Sequence, residues 1–279
     1  MDALTSADNN TAVGYKSMSA TTTGGNNVAV GYQTLLANTT GDHNTAVGFG
    51  ALTAVSTATG NTAVGAGAGD AITTGNHNIA IGYNSLTNCT TGTNNVAVGH
   101  DAVLRITTAS NNTGIGKEAL KETTTGADNV SVGFTALKAN TTGGDNVAIG
   151  SQALLANTTG GDNVAVGTDA LQGNTTGTDN TAVGKDAMLA NTEGVNNVAM
   201  GNISLIGNTT GSRNTAIGAE SMNDNTTADN NTAIGYASLS KNTTGTSNTA
   251  LGWAALEANT TSDNNVAVGH AAARSNTTG

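Results

Sequence analysis

Few residues in this sequence are of types that perform chemistry. The 279 residues include four histidines, at 43, 77, 100 and 270, and one cysteine, Cys89. None of the histidines has the spacing of a nucleophile–base pair or a metal site, and a lone cysteine supports neither an intrachain disulfide nor a zinc site. No carboxylate pair of the kind that glycoside hydrolysis needs interrupts the sequence pattern. We therefore predict that the protein is not an enzyme and has no catalytic, metal or cofactor site.

Two glycine-rich stretches resemble ligand-binding loops only superficially. GAGAGD at 65–70 is not followed by the Lys-Ser or Lys-Thr of a phosphate-binding loop. GGDN at 143–146 and 160–163 lacks the nonapeptide spacing of calcium-binding β-roll turns. Neither stretch predicts a bound phosphate or calcium ion.

The aromatic residues are more informative because they share a spacing. All seven are separated by multiples of 17 residues: Tyr15, Tyr32, Phe49, Tyr83, Phe134, Tyr236 and Trp253. One interpretation is a file of rings that covers a corner of the fold, and the other is an exposed surface on which sugar rings or a receptor stack. The candidate glycan or partner contacts are Tyr15, Tyr32, Phe49, Tyr236 and Trp253.

This spacing belongs to a repeat that positions every residue in the chain. An asparagine recurs every 17 residues from Asn10 to Asn265, giving 16 copies without insertion or deletion. We number the unit 1 to 17 from that asparagine, so the aromatic residues occupy position 6. A period of this length is the signature of a solenoid. We expect one uncapped solenoid over 1–279, with no second domain.

Each unit begins with the pattern N-[TVI]-[ASG]-[VILM]-G, which predicts one β-strand per coil of a parallel β-solenoid, an all-β fold of about 16 coils. We expect positions 2 and 4 to face the core. Position 3, which is alanine in 14 copies, would then face outward. Only small residues occur there, so we expect a second chain to pack on it. The candidate inter-chain packing residues are Ala12, Ala29, Ala46, Ala148 and Ala165.

Positions 6–11 predict either one short helical turn or a bent second strand. Small residues at position 8 and Leu or Met at position 9 suit one face of a helix. Asparagines at position 1, and at position 12 from 140 onward, are expected to form hydrogen-bonded ladders between coils.

Charge and hydropathy exclude several classes of partner. The net charge of −10, with nine basic residues, argues against nucleic acid and anionic membranes. No apolar run is long enough for membrane insertion, and the N-terminal residues contain no signal peptide.

The motif resembles a known family. N-[VT]-A-[VI]-G looks like the YadA-like head repeats of trimeric autotransporter adhesins. NTAVGFGAL at 44–52 and NTAIGYASL at 231–239 resemble repeats in phage tail-fibre proteins. The resemblance implies a left-handed parallel β-roll that trimerises and binds surfaces, and it covers the whole chain.

We therefore expect a structural fibre segment of a phage tail fibre or surface adhesin, located outside the cell or on the virion. It would be a rigid, homo-oligomeric spacer, trimer or filament, with weak contact to a cell-surface glycan or receptor. One alternative is an ice-binding solenoid that uses the threonine files at positions 13 and 14. Another is a subunit of a self-assembling extracellular filament that stacks head to tail.

Overall fold

A computed structural model of the chain describes residues 5–277 and shows an all-β parallel β-solenoid with a 17-residue repeat. The strands have three residues each and occupy positions 2–4 of the unit. No helix is present in the described range. The strands are Thr11–Val13 (β1), Val28–Val30 (β2), Thr45–Val47 (β3), Thr62–Val64 (β4), Ile79–Ile81 (β5), Val96–Val98 (β6), Thr113–Ile115 (β7), Val130–Val132 (β8), Val147–Ile149 (β9), Val164–Val166 (β10), Thr181–Val183 (β11), Val198–Met200 (β12), Thr215–Ile217 (β13), Thr232–Ile234 (β14), Thr249–Leu251 (β15) and Val266–Val268 (β16).

The repeats form two compact units, Met1–Thr142 and Gly143–Gly279. Strands β1–β8 belong to the first and β9–β16 to the second. Within each unit every strand pairs in parallel with the strand of the next coil, and equivalent residues pair, as Ala29 does with Ala46. Residues at one unit position therefore stack in files. That 1–279 is one single solenoid stays a prediction.

The predicted orientation of the strands is wrong. Position 3 faces into the coil, and positions 2 and 4 face outward. Ala29, Ala46, Ala148 and Ala165 are completely buried within their own chain, and Ala12 in the first described coil is half-buried. None of these five alanines presents an outward surface for inter-chain packing. Position 3 is small because it packs inside a narrow coil.

The core beneath each strand consists of a few files. Leu or Met at position 9 supplies most of the large buried side chains, such as Leu35 and Leu154. Small residues at position 8 and the residues at positions 1 and 12 complete it. The side chain at position 9 fills most of the space inside the coil. Close packing therefore leaves room for little more than a methyl group at position 3 of the strand that faces it.

Positions 6–11 form neither the predicted helical turn nor a second strand. They are a series of turns in which positions 7 and 9 have left-handed backbone angles, as Gln33 (φ 55°) and Leu35 (φ 48°) show. The amide of Gln33 donates to the carbonyl of Tyr15 in the previous coil, and that of Leu35 donates to Ala51 in the next. The backbone groups are satisfied between coils, so no helix is needed to satisfy them.

The asparagine ladders are confirmed. At position 1, Asn61 Nδ2 donates to Asn44 Oδ1 of the preceding coil at 3.1 Å and to the carbonyl of Gly75 at 3.0 Å. At position 12, Asn191 Nδ2 donates to Asn174 Oδ1 at 2.8 Å. These side chains are buried, and their amides make the hydrogen bonds that a buried polar group needs.

Candidate functional site

The aromatic residues at position 6 lie on the outer surface, one residue after the glycine that ends each strand. That glycine is required because φ is 139° at Gly31, and a Cβ there would collide with the backbone carbonyl of Gly48 in the next coil. The chain turns sharply at this point, and the side chain that follows projects into solvent. The seven aromatic side chains are 40–63% exposed, so they form a surface rather than part of the core.

The first aromatic run lies in the coils of residues 10–111. Ring centroids are 5.4 Å apart for Tyr15 and Tyr32 and 5.1 Å apart for Tyr32 and Phe49. Tyr83 stacks on the imidazole of His100 at 5.3 Å. The face of each ring is therefore directed at the ring of the neighbouring coil. Solvent reaches mainly the ring edges, except where the run is interrupted.

The second run contains Tyr236, Trp253 and His270. The indole of Trp253 lies 6.4 Å from the Tyr236 ring and 4.7 Å from the imidazole of His270. The Arg274 guanidinium lies 5.1 Å from the indole, within the range of a cation–π interaction. Both faces of Trp253 therefore already have neighbours.

Charged residues surround the second run and line a cleft of about 280 Å³. Tyr236 Oη donates to Glu220 Oε2 at 3.1 Å, and this hydrogen bond to a carboxylate raises the pKa of the tyrosine. Glu257 pairs with Arg274, and Lys241, which also lines the cleft, pairs with Asp224 at 3.1 Å. The cleft thus combines aromatic edges with a rim of mixed charge.

The structure brings together Tyr236 and Trp253 in one cleft, and Tyr15, Tyr32 and Phe49 in one stack. The rim also contains four charged residues that were not predicted from the sequence: Glu220, Lys241, Glu257 and Arg274. The signal was present, because positions 7, 10 and 11 lie beside position 6 once the coils stack. That these aromatic residues bind a glycan or a partner stays a prediction.

A third group of side chains forms an ion-pair network at positions 7 and 10 of neighbouring coils. Lys121 Nζ lies 3.3 Å from Asp101 Oδ2 and 3.2 Å from Glu118 Oε1, and Lys138 Nζ lies 2.6 Å from Glu118 Oε2. The hydrogen bond from Lys138 is the main cause of a lowered pKa of Glu118. The network ties three coils together at the surface.

Two further side chains of types that perform chemistry are Cys89 and His100. Cys89 is buried, and burial raises the pKa of its thiol to about 11, so the nucleophilic thiolate is scarce at neutral pH. His100 Nδ1 lies 3.5 Å from Asp101 Oδ2 of the same turn. Among residues 5–277, no three His, Cys, Asp or Glu side chains are grouped as metal ligands would be. Nor does this part of the chain contain a helix that could cross a membrane.

No model of a known protein family matches the sequence, and no curated protein matches it significantly. The function must therefore be inferred from the repeat and from the two surfaces that the structure defines: the outward face of the sheet and the aromatic file.

Proposed function

We propose that the chain is a structural fibre segment of the tail-fibre or surface-adhesin type, assembled as a homo-oligomer through the outward face of its parallel sheet. The observation that carries the proposal is the composition of this face, which consists of positions 2 and 4 of every coil. Position 4 is Val, Ile, Leu or Met in all 16 coils, and position 2 is Val, Ile or Thr. The face contains no charged residue.

The exposure of this face is unusual for a protein surface. Each unit presents 16 side chains on it, of which 12 are aliphatic or Met and 4 are Thr. Ile81, Ile149 and Leu251 are 39%, 41% and 44% exposed. Soluble monomers rarely expose a contiguous apolar patch larger than a few hundred Å², and larger patches mark interfaces. We therefore infer that another protein surface covers this face.

A second copy of the same chain is the partner that fits best. The face repeats at every coil with a spacing of about 4.8 Å, and a chain with the same repeat can match it coil by coil. The uncharged surface also allows two identical faces to meet without electrostatic repulsion. A trimer around a common axis, as the resemblance to adhesin heads implies, would cover all three faces. The alanines of position 3 have no part in this interface.

The remaining parts of the role follow from the other surfaces. Stacked coils with buried asparagine ladders suit a stiff spacer, and the exposed aromatic file suits weak contact with a glycan or receptor. Such a protein acts outside the cell or on the surface of a virion. This location and these contacts belong to the proposal.

The test is the mass of the purified chain in native solution, measured by light scattering after gel filtration. We expect a discrete multiple of 27.2 kDa, with three copies favoured. Ile149→Lys should reduce the mass to that of a monomer, because it buries a charge in the interface. Thr168→Lys, which adds the same charge at exposed position 6, should leave the mass unchanged. A monodisperse wild-type monomer would refute the proposal, and open-ended growth with concentration would indicate the head-to-tail filament.

Ice binding is less well supported by the arrangement of the threonines. The hydroxyl groups at position 13 donate to carbonyls of the next coil, as Thr39 does to Ser56 at 3.0 Å and Thr158 does to Thr175 at 2.9 Å. These hydroxyl groups hold neighbouring coils together, so they do not form, with position 14, an array of free hydroxyl groups that could bind ice. Measurable thermal hysteresis of the purified protein would overturn our preference for the fibre.

A further inference from the structure

The first aromatic run contains one vacancy, at Ala66. Phe49 and Tyr83 occupy position 6 in the coils on either side, and each already stacks on another ring on its far side. Their near faces are open across the missing ring. Exposure agrees with this, because Phe49 is 63% and Tyr83 is 55% exposed, whereas Tyr32, with rings on both sides, is 41% exposed.

The width of this slot follows from the repeat. Two coil steps of about 4.8 Å place the Phe49 and Tyr83 rings about 10 Å apart. Neighbouring rings in the same run lie at centroid distances of 5.1–5.4 Å. The slot therefore has space for one six-membered ring, in contact with an aromatic face on each side.

The floor of the slot is hydrogen-bonded backbone with small side chains. The amide of Gly67 donates to the carbonyl of Phe49 at 2.9 Å, and the amide of Asn84 donates to the carbonyl of Ala66 at 3.1 Å. The backbone ladder therefore continues under the vacancy, and only side chains are missing. Positions 6 and 7 of the middle coil, Ala66 and Gly67, carry between them a single methyl group.

The polar group at the edge of the slot indicates which ring it takes. The side-chain amide of Asn84 is half-exposed, and its Oδ1 lies 2.8 Å from the point that a Cβ on Gly67 would occupy. This amide makes no hydrogen bond to other residues in the range 5–277, so a donor and an acceptor are both available to a ligand. An aromatic ligand would not need them, but the hydroxyl groups of a sugar would. Neither residue of the floor, Ala66 or Gly67, carries a charge.

We propose that the slot formed by Phe49, Ala66, Gly67, Tyr83 and Asn84 binds one neutral pyranose residue of a glycan. The two rings stack on the C–H groups of its opposite faces, and the Asn84 amide bonds to a hydroxyl group at its edge. The inference deepens the glycan contact in the proposed function and rests on it, but it does not depend on the oligomeric state.

The experiment is saturation-transfer NMR on the full chain with cellotriose, N,N′,N″-triacetylchitotriose, lactose and sialyllactose as probes, and with indole as an aromatic control. We expect at least one neutral oligosaccharide to bind, with a Kd on the order of 1 mM. Phe49→Ala and Tyr83→Ala should each weaken that binding at least about fivefold. Ala66→Phe should abolish it, because the new ring occupies the slot.

The matched control is Ala219→Phe, which adds the same ring at position 6 of a coil with an aromatic neighbour on one side only. It should leave binding unchanged. Circular dichroism melting of every variant confirms that it is folded. The proposal fails if no neutral oligosaccharide binds, if Ala66→Phe retains the affinity, or if indole binds in the slot and the sugars do not. Sugar binding that is lost in Trp253→Ala but kept in Phe49→Ala and Tyr83→Ala would preserve the glycan contact and refute the slot.

Discussion

Val103 occupies the space that an alanine methyl group would take at Gly114. A Cβ on Gly114 would collide with Cγ2 of Val103, which lies at position 9 of the preceding coil. Val103 is the only valine at position 9 among the 16 units, and Gly114 is the only glycine at position 3. The coincidence shows that position 3 is limited by the core of its own chain.

This contact predicts a coupled pair of substitutions. Gly114→Ala alone should lower the free energy of unfolding by about 1–3 kcal/mol, because it overpacks the core against Val103. The double variant Gly114→Ala/Val103→Leu carries the residues found in most other coils, so its loss of free energy of unfolding should be much smaller. Denaturant unfolding of the two single variants and the double variant gives the coupling energy. Additive effects would contradict the contact.

The position-12 ladder predicts a larger loss when one amide is removed. Asn208 Nδ2 donates to Asn191 Oδ1 at 2.8 Å and to the carbonyl of Gly211 at 2.9 Å, and its Oδ1 accepts from Asn225 at 2.8 Å. Asn208→Val removes three hydrogen bonds and leaves the buried Asn191 Oδ1 without its donor, so it should cost about 2–5 kcal/mol. Guanidinium titration measures the change.

The control for Asn208→Val is Ile72→Val, which is also at position 12 but in coils where the residues at this position are apolar. Ile72 is fully buried, and losing one methylene there should cost only about 0.5–1.5 kcal/mol. Equal losses in the two variants would show that the ladder contributes no more than ordinary packing.

The single thiol should be inert in the folded protein. Burial raises the pKa of Cys89 to about 11, compared with the ordinary value of 9.0. At pH 8 this shift alone lowers the thiolate fraction about 100-fold, and reactivity follows the thiolate. Iodoacetamide should therefore label Cys89 more than about 100-fold faster in guanidinium than in buffer, as followed by mass spectrometry. Comparable rates would show that the coil around residue 89 opens readily.

Asp70 predicts a dependence of stability on pH. Desolvation by burial raises the pKa of this carboxyl group above 3.8, and its Oδ1 has no hydrogen-bond partner within residues 5–277. The folded state then binds the proton more tightly than the unfolded state, so stability falls as the pH rises from about 3.8 through the folded pKa. Asp70→Asn should therefore melt at a higher temperature than the wild type at pH 7.

The difference between Asp70→Asn and the wild type should shrink as the pH falls below about 3.8, because Asp70 then becomes protonated in both states. Melting curves across this range measure it. A difference that is constant with pH would show that the carboxyl group does not titrate differently in the folded chain.

Part of the candidate site could be predicted from the sequence because it depends only on the period. The alignment of Tyr15, Tyr32 and Phe49 in one file follows from a 17-residue step, and so does the missing ring at Ala66. The direction of the rings could not be predicted in this way. Their faces point along the stack because the stacked backbone holds successive position-6 side chains one above another.

Some of the turn residues with positive φ could be predicted from their residue type, and others could not. Position 17 is mostly Asn or Asp, residues that tolerate positive φ, so Asp145 at φ 58° could have been predicted. Position 9 could not, because leucine has no preference for the φ of 52° seen at Leu154. Backbone hydrogen bonds between coils hold it there, as from the Leu154 amide to the carbonyl of Ala170 at 3.0 Å.

The sequence by itself determined the period, the place of each strand, the turn at position 5 and the asparagine files, since each depends on local residue types recurring at equal spacing. Only the tertiary structure decided which face of the strand is inside. Alternation shows that Val28 and Val30 oppose Ala29, but not which side meets the core. The usual rule would bury the two valines. In so narrow a coil, the side chain at position 9 leaves room for only a methyl group, so Ala29 turns inward and the valines form the exposed face.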